Sequence, residues 1–164
     1  MTREIHVDGT NALRRLGRES GDLVADQAWL LAAVRRIARQ DTPPADATVH
    51  FDGFPRGGGY GGTEIDGVHV CFSGDREADE AIVESARRAR RVQAVLVVTD
   101  DAELAGRVRQ IGTSTIGVAA FFALPRPAAA PGRDHDENKP HVGGFTAADF
   151  GLPDVIDTDE PPES

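Results

Sequence analysis

The chain has 164 residues, enough for one domain with a substantial core, and a formal net charge of −9. No stretch approaches the roughly 18–20 consecutive apolar residues of a membrane span, the first four residues lead straight into an apolar run without a secretory signal, and the lone cysteine, Cys71, cannot form an internal disulfide. These features exclude a membrane-spanning or disulfide-stapled chain and imply a soluble, cytoplasmic one.

The charge is unevenly spread. Residues 125–164 carry 9 acidic and 3 basic side chains, whereas residues 1–124 carry 18 and 15. The acidity therefore belongs mainly to the end of the chain. All but one of the 18 basic residues are Arg, the side chain best shaped for bidentate phosphate contact, although a GC-rich genome produces the same excess.

In chain order, residues 4–8 read as a first strand ending in Asp8, and residues 11–18 as a loop or short helix. Residues 22–39 carry a near-helical stripe with Arg35, Arg36 and Arg39 at the end where cations suit the helix dipole, and Thr42-Pro43-Pro44 stops it. Residues 48–52 form a second strand, again ending in aspartate. The segment 53–62 is a loop with six glycines, Arg56 and Tyr60. It lacks the Gly-Lys-Ser/Thr of a phosphate-binding loop, so it is either a connector or a mobile substrate-facing loop, with Arg56 the candidate contact. Residues 68–72 are a third strand, with Cys71 expected as a small core residue, and residues 77–91 a helix with small apolar positions. The five apolar residues 94–98 mark a strand buried on both faces. A helix over 102–110, a strand over 113–118 and a short segment over 119–124 complete the alternation. Strand and helix in alternation predict an α/β domain of three layers, α/β/α, over residues 1–124. Residues 125–164 hold 7 of the 10 prolines and little periodicity, which predicts a disordered acidic tail. One island in it, residues 144–150, has the composition to dock on the domain or on a partner.

The acids carry the chemistry. Asp8, Asp52 and the pair Asp100 and Asp101 end three strands, and Asp79 lies at a helix start. In a parallel sheet these points share one edge, the edge where ligands collect. Each aspartate alone reads as a helix cap or turn residue. Gathered together they repel one another, and a divalent cation is the commonest reason to tolerate that. Hard oxygen ligands suit Mg²⁺ or Mn²⁺, and such a site supports in-line attack on a phosphodiester. His6, His50 and His69 fall on three adjacent strands and read either as semi-buried hydrogen-bonded residues or as a transition-metal row. Asp8-Gly9-Thr10 also matches part of the Asp-x-Asp-Gly-Thr signature of haloacid-dehalogenase-like phosphatases. His6 occupies the nucleophile position there and cannot form an acyl-phosphate, so that reading is discarded.

Four motifs in order, Val7-Asp8-Gly9-Thr10-Asn11, Phe51-Asp52-Gly53, Gly67-Val68-His69-Val70-Cys71-Phe72 followed by Ala78-Asp79, and Val97-Val98-Thr99-Asp100-Asp101, resemble the YacP-like branch of the NYN domains, within the PIN-like ribonuclease group. The resemblance covers residues 4–124. It implies a PIN-like fold with a parallel five-stranded sheet of order 3-2-1-4-5 and metal-dependent endoribonuclease activity on RNA, single-stranded in the first instance. It places the catalytic set on Asp8, Asn11, Asp79 and Asp101, with Mg²⁺ or Mn²⁺ held by Asp8, Asp79 and Asp101. Asp100 replaces the residue before the family's last aspartate and adds either a further ligand or a solvent-facing charge. Thr10 replaces an aromatic residue. Thr99 and Arg56 are the expected substrate contacts. The alternative is a non-catalytic RNA- or protein-binding module on the same fold, and both monomer and homodimer remain open. The acidic tail is expected to compete with RNA as a polyanion.

Overall fold

The computed structural model describes residues 2–55, 63–65 and 67–124. Arg56, most of the glycine-rich loop and the whole tail, including residues 144–150, lie outside the described residues.

The strands are β1 (Glu4–Asp8), β2 (Asp46–Phe51), β3 (Thr63–Ile65), β4 (Val68–Phe72), β5 (Val95–Val98) and β6 (Ser114–Ile116). They form one sheet in the order β3-β4-β2-β1-β5-β6. All neighbours pair in parallel except β3, which is antiparallel to β4 on the edge. The sheet is therefore six-stranded and mixed, which corrects the expected purely parallel, five-stranded arrangement. The added strand is three residues long, too short for alternation to register. The Asp66-Gly67 dipeptide before β4 is nevertheless a hairpin signal that could have exposed it.

The helices are α1 (Gly9–Arg15), α2 (Leu23–Ala38), α3 (Ala78–Arg88), α4 (Ala102–Ile111) and α5 (Val118–Phe122). Alternation along the strands assigns them to faces. Ile5 and Val7 of β1, Val49 and Phe51 of β2, and Leu96 and Val98 of β5 share a core with Leu13 of α1, Leu30 and Leu31 of α2, and Phe121 of α5. Val95 and Val97 of β5 face the other way and pack with Ile82 and Val83 of α3 and Leu104 and Val108 of α4. Helices thus cover both faces of the sheet, and its strand β5 is apolar on both sides. Burial of these side chains, at about 25 cal/mol per Å² of apolar surface, drives the packing.

Several boundaries differ from those expected. The first helix begins at Gly9 rather than Asn11, the third ends at Arg88, and the strand expected over 113–118 is three residues followed by a helix. Cys71 is half-buried rather than a core residue, because α3 lies over β1 and β2 and β4 is the next strand outward.

Candidate active site

The site starts at the carboxyl end of β1, between β2 and β5 in the sheet. Asp8 is 5 % exposed, and its backbone leaves the strand directly into α1 as the helix N-cap. One carboxylate oxygen, Oδ1, accepts from the Asn11 backbone N–H at 3.2 Å, as an N-cap side chain does. The turn is this tight because Gly9 has no side chain. A Cβ there would lie 2.6 Å from the Phe51 ring and 2.8 Å from the His50 carbonyl oxygen. The Asp-Gly pair is thus a packing requirement of β1 against β2 as well as a bearer of chemistry.

The turn after β5 supplies the second corner. The Thr99 hydroxyl donates to Asp8 Oδ2 at 3.3 Å and accepts from the Asp101 backbone N–H at 3.0 Å. Thr99 is 4 % exposed, and its hydroxyl joins the two aspartates. Asp101 is the N-cap of α4, with Oδ1 accepting from the Glu103 and Leu104 backbone N–H groups at 2.8 and 2.9 Å. Asp100 points elsewhere. Its Oδ1 accepts from Val118 N–H at 3.1 Å at the start of α5, and its Oδ2 pairs with Arg15 at 3.5 Å. The expectation of a further ligand at position 100 is therefore not met by its placement. Successive side chains of an extended segment point to opposite sides, and here only Asp101 faces the acids. Asn11 locks the arrangement by accepting from the Asp100 backbone N–H through Oδ1 at 3.1 Å.

Asp52 and Asp79 come from the other side. Asp52 Oδ1 accepts from Ala78 N–H at 2.8 Å, so β2 caps the first turn of α3 while Glu77, at the N-cap position, makes no cap bond. That bond brings the start of α3, with Asp79, over the end of β1. Asp8, Asn11, Asp52, Asp79 and Asp101 consequently line one polar cleft of about 670 Å³, which also admits Arg14 and Arg76. The two arginines went unmarked in the sequence. Arg14 lies three residues after Asn11, on the same helix face, and that spacing was the available signal.

Electrostatics register the crowding. Burial, opposed by the bond from Asn11 and reinforced by Asp79 and Asp52, pushes the Asp8 carboxyl up to about 6. Asp79 is raised by burial and then by Asp101, Asp52 and Glu77, with Arg107 acting against them. Among the described residues, no three Asp, Glu, His or Cys side chains are grouped closely enough to form a ready-made metal cage. The donor set still suits a hydrated hard cation, which needs one or two carboxylates and completes its shell with water and phosphate. Asp101 Oδ2 and the Asp79 carboxylate make no hydrogen bond with the described residues, and Asp8 Oδ2 makes only the long one to Thr99.

The histidines do not form a row. His6 and His50 lie beneath α3, with His6 Nδ1 and His50 Nε2 at 3.1 Å, while His69 is exposed and faces Glu64 at 3.9 Å. Burial pushes the pair down to about 4 and about 3, His6 adding to the effect on His50. Neutral, they share one hydrogen bond next to Asp8, while His6 Nε2 and His50 Nδ1 have no hydrogen-bond partner among the described residues.

No protein-family model matches the chain. No curated protein matches it either. Among solved structures it is similar to a point mutant of Rae1 (YacP) from Bacillus subtilis, with a TM-score of 0.58 and 18 % identity over 73 % of this chain and 72 % of that one. The likeness is one of fold. None of the described helices is long and apolar enough to cross a membrane.

Proposed function

We propose that the chain is a metal-dependent endoribonuclease that hydrolyses phosphodiester bonds of single-stranded RNA in the cleft between β1, α3 and α4. The observation that carries this reading is the carboxyl of Asp8, buried at the end of a central parallel strand and raised to about 6 by that burial, with Asp79 and Asp52 adding to it. Such an arrangement opposes folding unless something cationic is bound there. The similarity of fold to Rae1 (YacP) and the four ordered motifs support the same conclusion.

Asp8, Asp79 and Asp101 would hold Mg²⁺ or Mn²⁺, and Asp100 is left out of the set because its carboxylate is engaged at α5. When bound, the ion supplies Lewis-acid polarisation of the phosphoryl group and a more acidic attacking water. The protein's own groups do the rest. Thr99 fixes Asp8 and Asp101 relative to each other, which keeps two carboxylates pre-oriented. Asn11 holds the β5–α4 turn through Oδ1, leaving its amide N–H₂ toward the cleft for a phosphate oxygen. Arg14 and Arg76 provide cationic charge at the cleft wall, where a polyanionic backbone has to pass the acids.

A second reading has one observation of its own. Asp8 and Asp101 both cap helices, so each is explained structurally without catalysis, as a non-catalytic RNA-binding module would require. Cleavage of a labelled single-stranded RNA in Mn²⁺ separates the two. The nuclease reading expects cleavage by the wild type, abolished by EDTA and reduced at least ~100-fold in Asp8→Asn and Asp79→Asn, the scale of losing an electrostatic catalytic group. Equal behaviour of all three proteins with and without EDTA contradicts it, and RNA binding that persists in the variants without cleavage selects the binding module.

A further inference from the structure

On the other side of the Thr10–Asp52 contact lies a second cavity of about 370 Å³, lined in part by Leu13, Leu23 and Phe51. Its size falls in the range of small-molecule sites. It shares Thr10 and Asp52 with the acidic cleft, and the Asp52 backbone N–H donates to Thr10 Oγ1 at 3.1 Å, so a single hydrogen bond forms the ridge between the two. Gln27, also in the wall, is 8 % exposed, yet its side-chain amide makes no hydrogen bond with the described residues. Its amide atoms are not among the fully enclosed unpaired polar atoms of the described residues, so they keep solvent contact at the cavity wall and are available to a ligand there.

The cavity wall is held in place beforehand. Asp26, buried in the first turn of α2, accepts from the Ser20 N–H at 2.9 Å and from its hydroxyl at 2.9 and 3.0 Å. Arg18 N–H donates to the Leu13 carbonyl at 2.9 Å, and its guanidinium sits 4.1 Å over the Trp29 ring. The loop from α1 to α2 is thus tied down at both ends, with a cation at the rim and an apolar interior.

We propose that this cavity seats one nucleobase of the RNA substrate, adjacent to the phosphate in the acidic cleft, with the Gln27 amide reading its edge. The inference rests on the nuclease reading for the identity of the polymer. Leu13, Leu23 and Phe51 supply the apolar walls that a base plane requires, and Arg18 meets the neighbouring phosphate. A glutamine amide pairs one donor and one acceptor with the N6 and N7 positions of adenine. The carboxylates of Glu19 and Asp52 at the wall favour a base with an exocyclic amino group over uracil, which presents carbonyl oxygens.

The chain carries its own reporter, because its single tryptophan lies beneath Arg18. 2′-O-methyl hexanucleotides, one all uridine and one with a single adenosine, are titrated against the full chain in EDTA, which withholds the ion that cleavage requires, and followed by Trp29 fluorescence. The adenosine oligonucleotide should bind about tenfold tighter, the discrimination of one bidentate pair. Gln27→Met, close in volume, should reduce that ratio to near one. Leu23→Glu, at a position 41 % exposed and so safe for folding, should weaken both oligonucleotides and quench less on binding. An unchanged ratio in Gln27→Met, binding untouched by Leu23→Glu, or no saturable binding of either oligonucleotide overturns the proposal. Cleavage does not enter the readout. A protein that discriminates adenosine but never cuts RNA sinks the nuclease reading alone, and one that cuts RNA while ignoring both variants sinks the base pocket alone.

Discussion

At the scale of single residues, Asp8 and Asp101 each do two things with two oxygens. In both, Oδ1 caps a helix and Oδ2 faces the acids, and substitutions separate these roles. Asp101→Asn keeps the cap acceptor and should leave stability within about 0.5 kcal/mol, whereas Asp101→Ala should cost about 1 kcal/mol through the lost cap. Both should lose activity alike, as thermal denaturation and a cleavage assay would show together. Asp8→Asn should go the other way in stability. Its carboxyl is held at about 6 against the ordinary 3.8, so the charged form destabilises the fold at neutral pH. Removing that charge should raise stability by roughly 1–3 kcal/mol at pH 7, read as an increased Tm. The aspartates at 8, 52, 79 and 101 were legible as a group from the sequence because strand ends of a parallel sheet share an edge. The resemblance pointed to Asp101, but where the Asp100 carboxylate goes was not legible, since that depends on Val118 and Arg15, which lie in other elements. Nor was the role of Thr99, whose hydroxyl could only be assigned once both its neighbours had coordinates.

At the scale of elements, the face of β1 and β2 beneath α3 carries His6, His50 and Asp8 instead of aliphatic residues, and this gives the fold a specific acid response. Below 6.5, the ordinary histidine value, the unfolded chain takes up two protons that the native pair refuses until about 4 and about 3. The stability held above 6.5 is therefore lost as pH falls through that window, by about 1.4 kcal/mol per pH unit for each proton. Asp8 opposes this between about 6 and 3.8, where the native state binds a proton first and gains stability on acidification. The net loss on acidification should accordingly steepen in Asp8→Asn and flatten in His6→Val/His50→Val, as followed by urea unfolding from pH 7 to 4; parallel profiles in the three proteins would contradict it. The strands and helices themselves were readable from apolar runs and periodicity. β3 was not, being a three-residue edge strand too short for alternation, whose one signal is the Asp66-Gly67 dipeptide that follows it. The helix after β6 depends on a tertiary contact. Asp100, at the end of the neighbouring strand β5, caps it, and a Cβ at Gly117 would lie 2.9 Å from Asp100 Oδ1. Gly117→Ala should therefore loosen α5 and cost about 1–2 kcal/mol.

At the scale of the molecule, two cavities flank one ridge at the carboxyl edge of the sheet, one lined by acids and one largely apolar. A mixed sheet sandwiched by helices supplies the rigidity, and the loops after β1, β2 and β5 supply the groups, which is the usual division of labour in α/β folds. On the proposed reading, the acids are gathered for a divalent cation. Titration of the full chain with Mn²⁺, following free Mn²⁺ by its electron paramagnetic resonance signal, tests this without reference to substrate. Saturable binding of Mn²⁺ is expected, weakened at least ~10-fold in Asp8→Asn and in Asp79→Asn and unchanged in Asp100→Asn. No saturable binding, or binding that ignores Asp8 and Asp79, would contradict it.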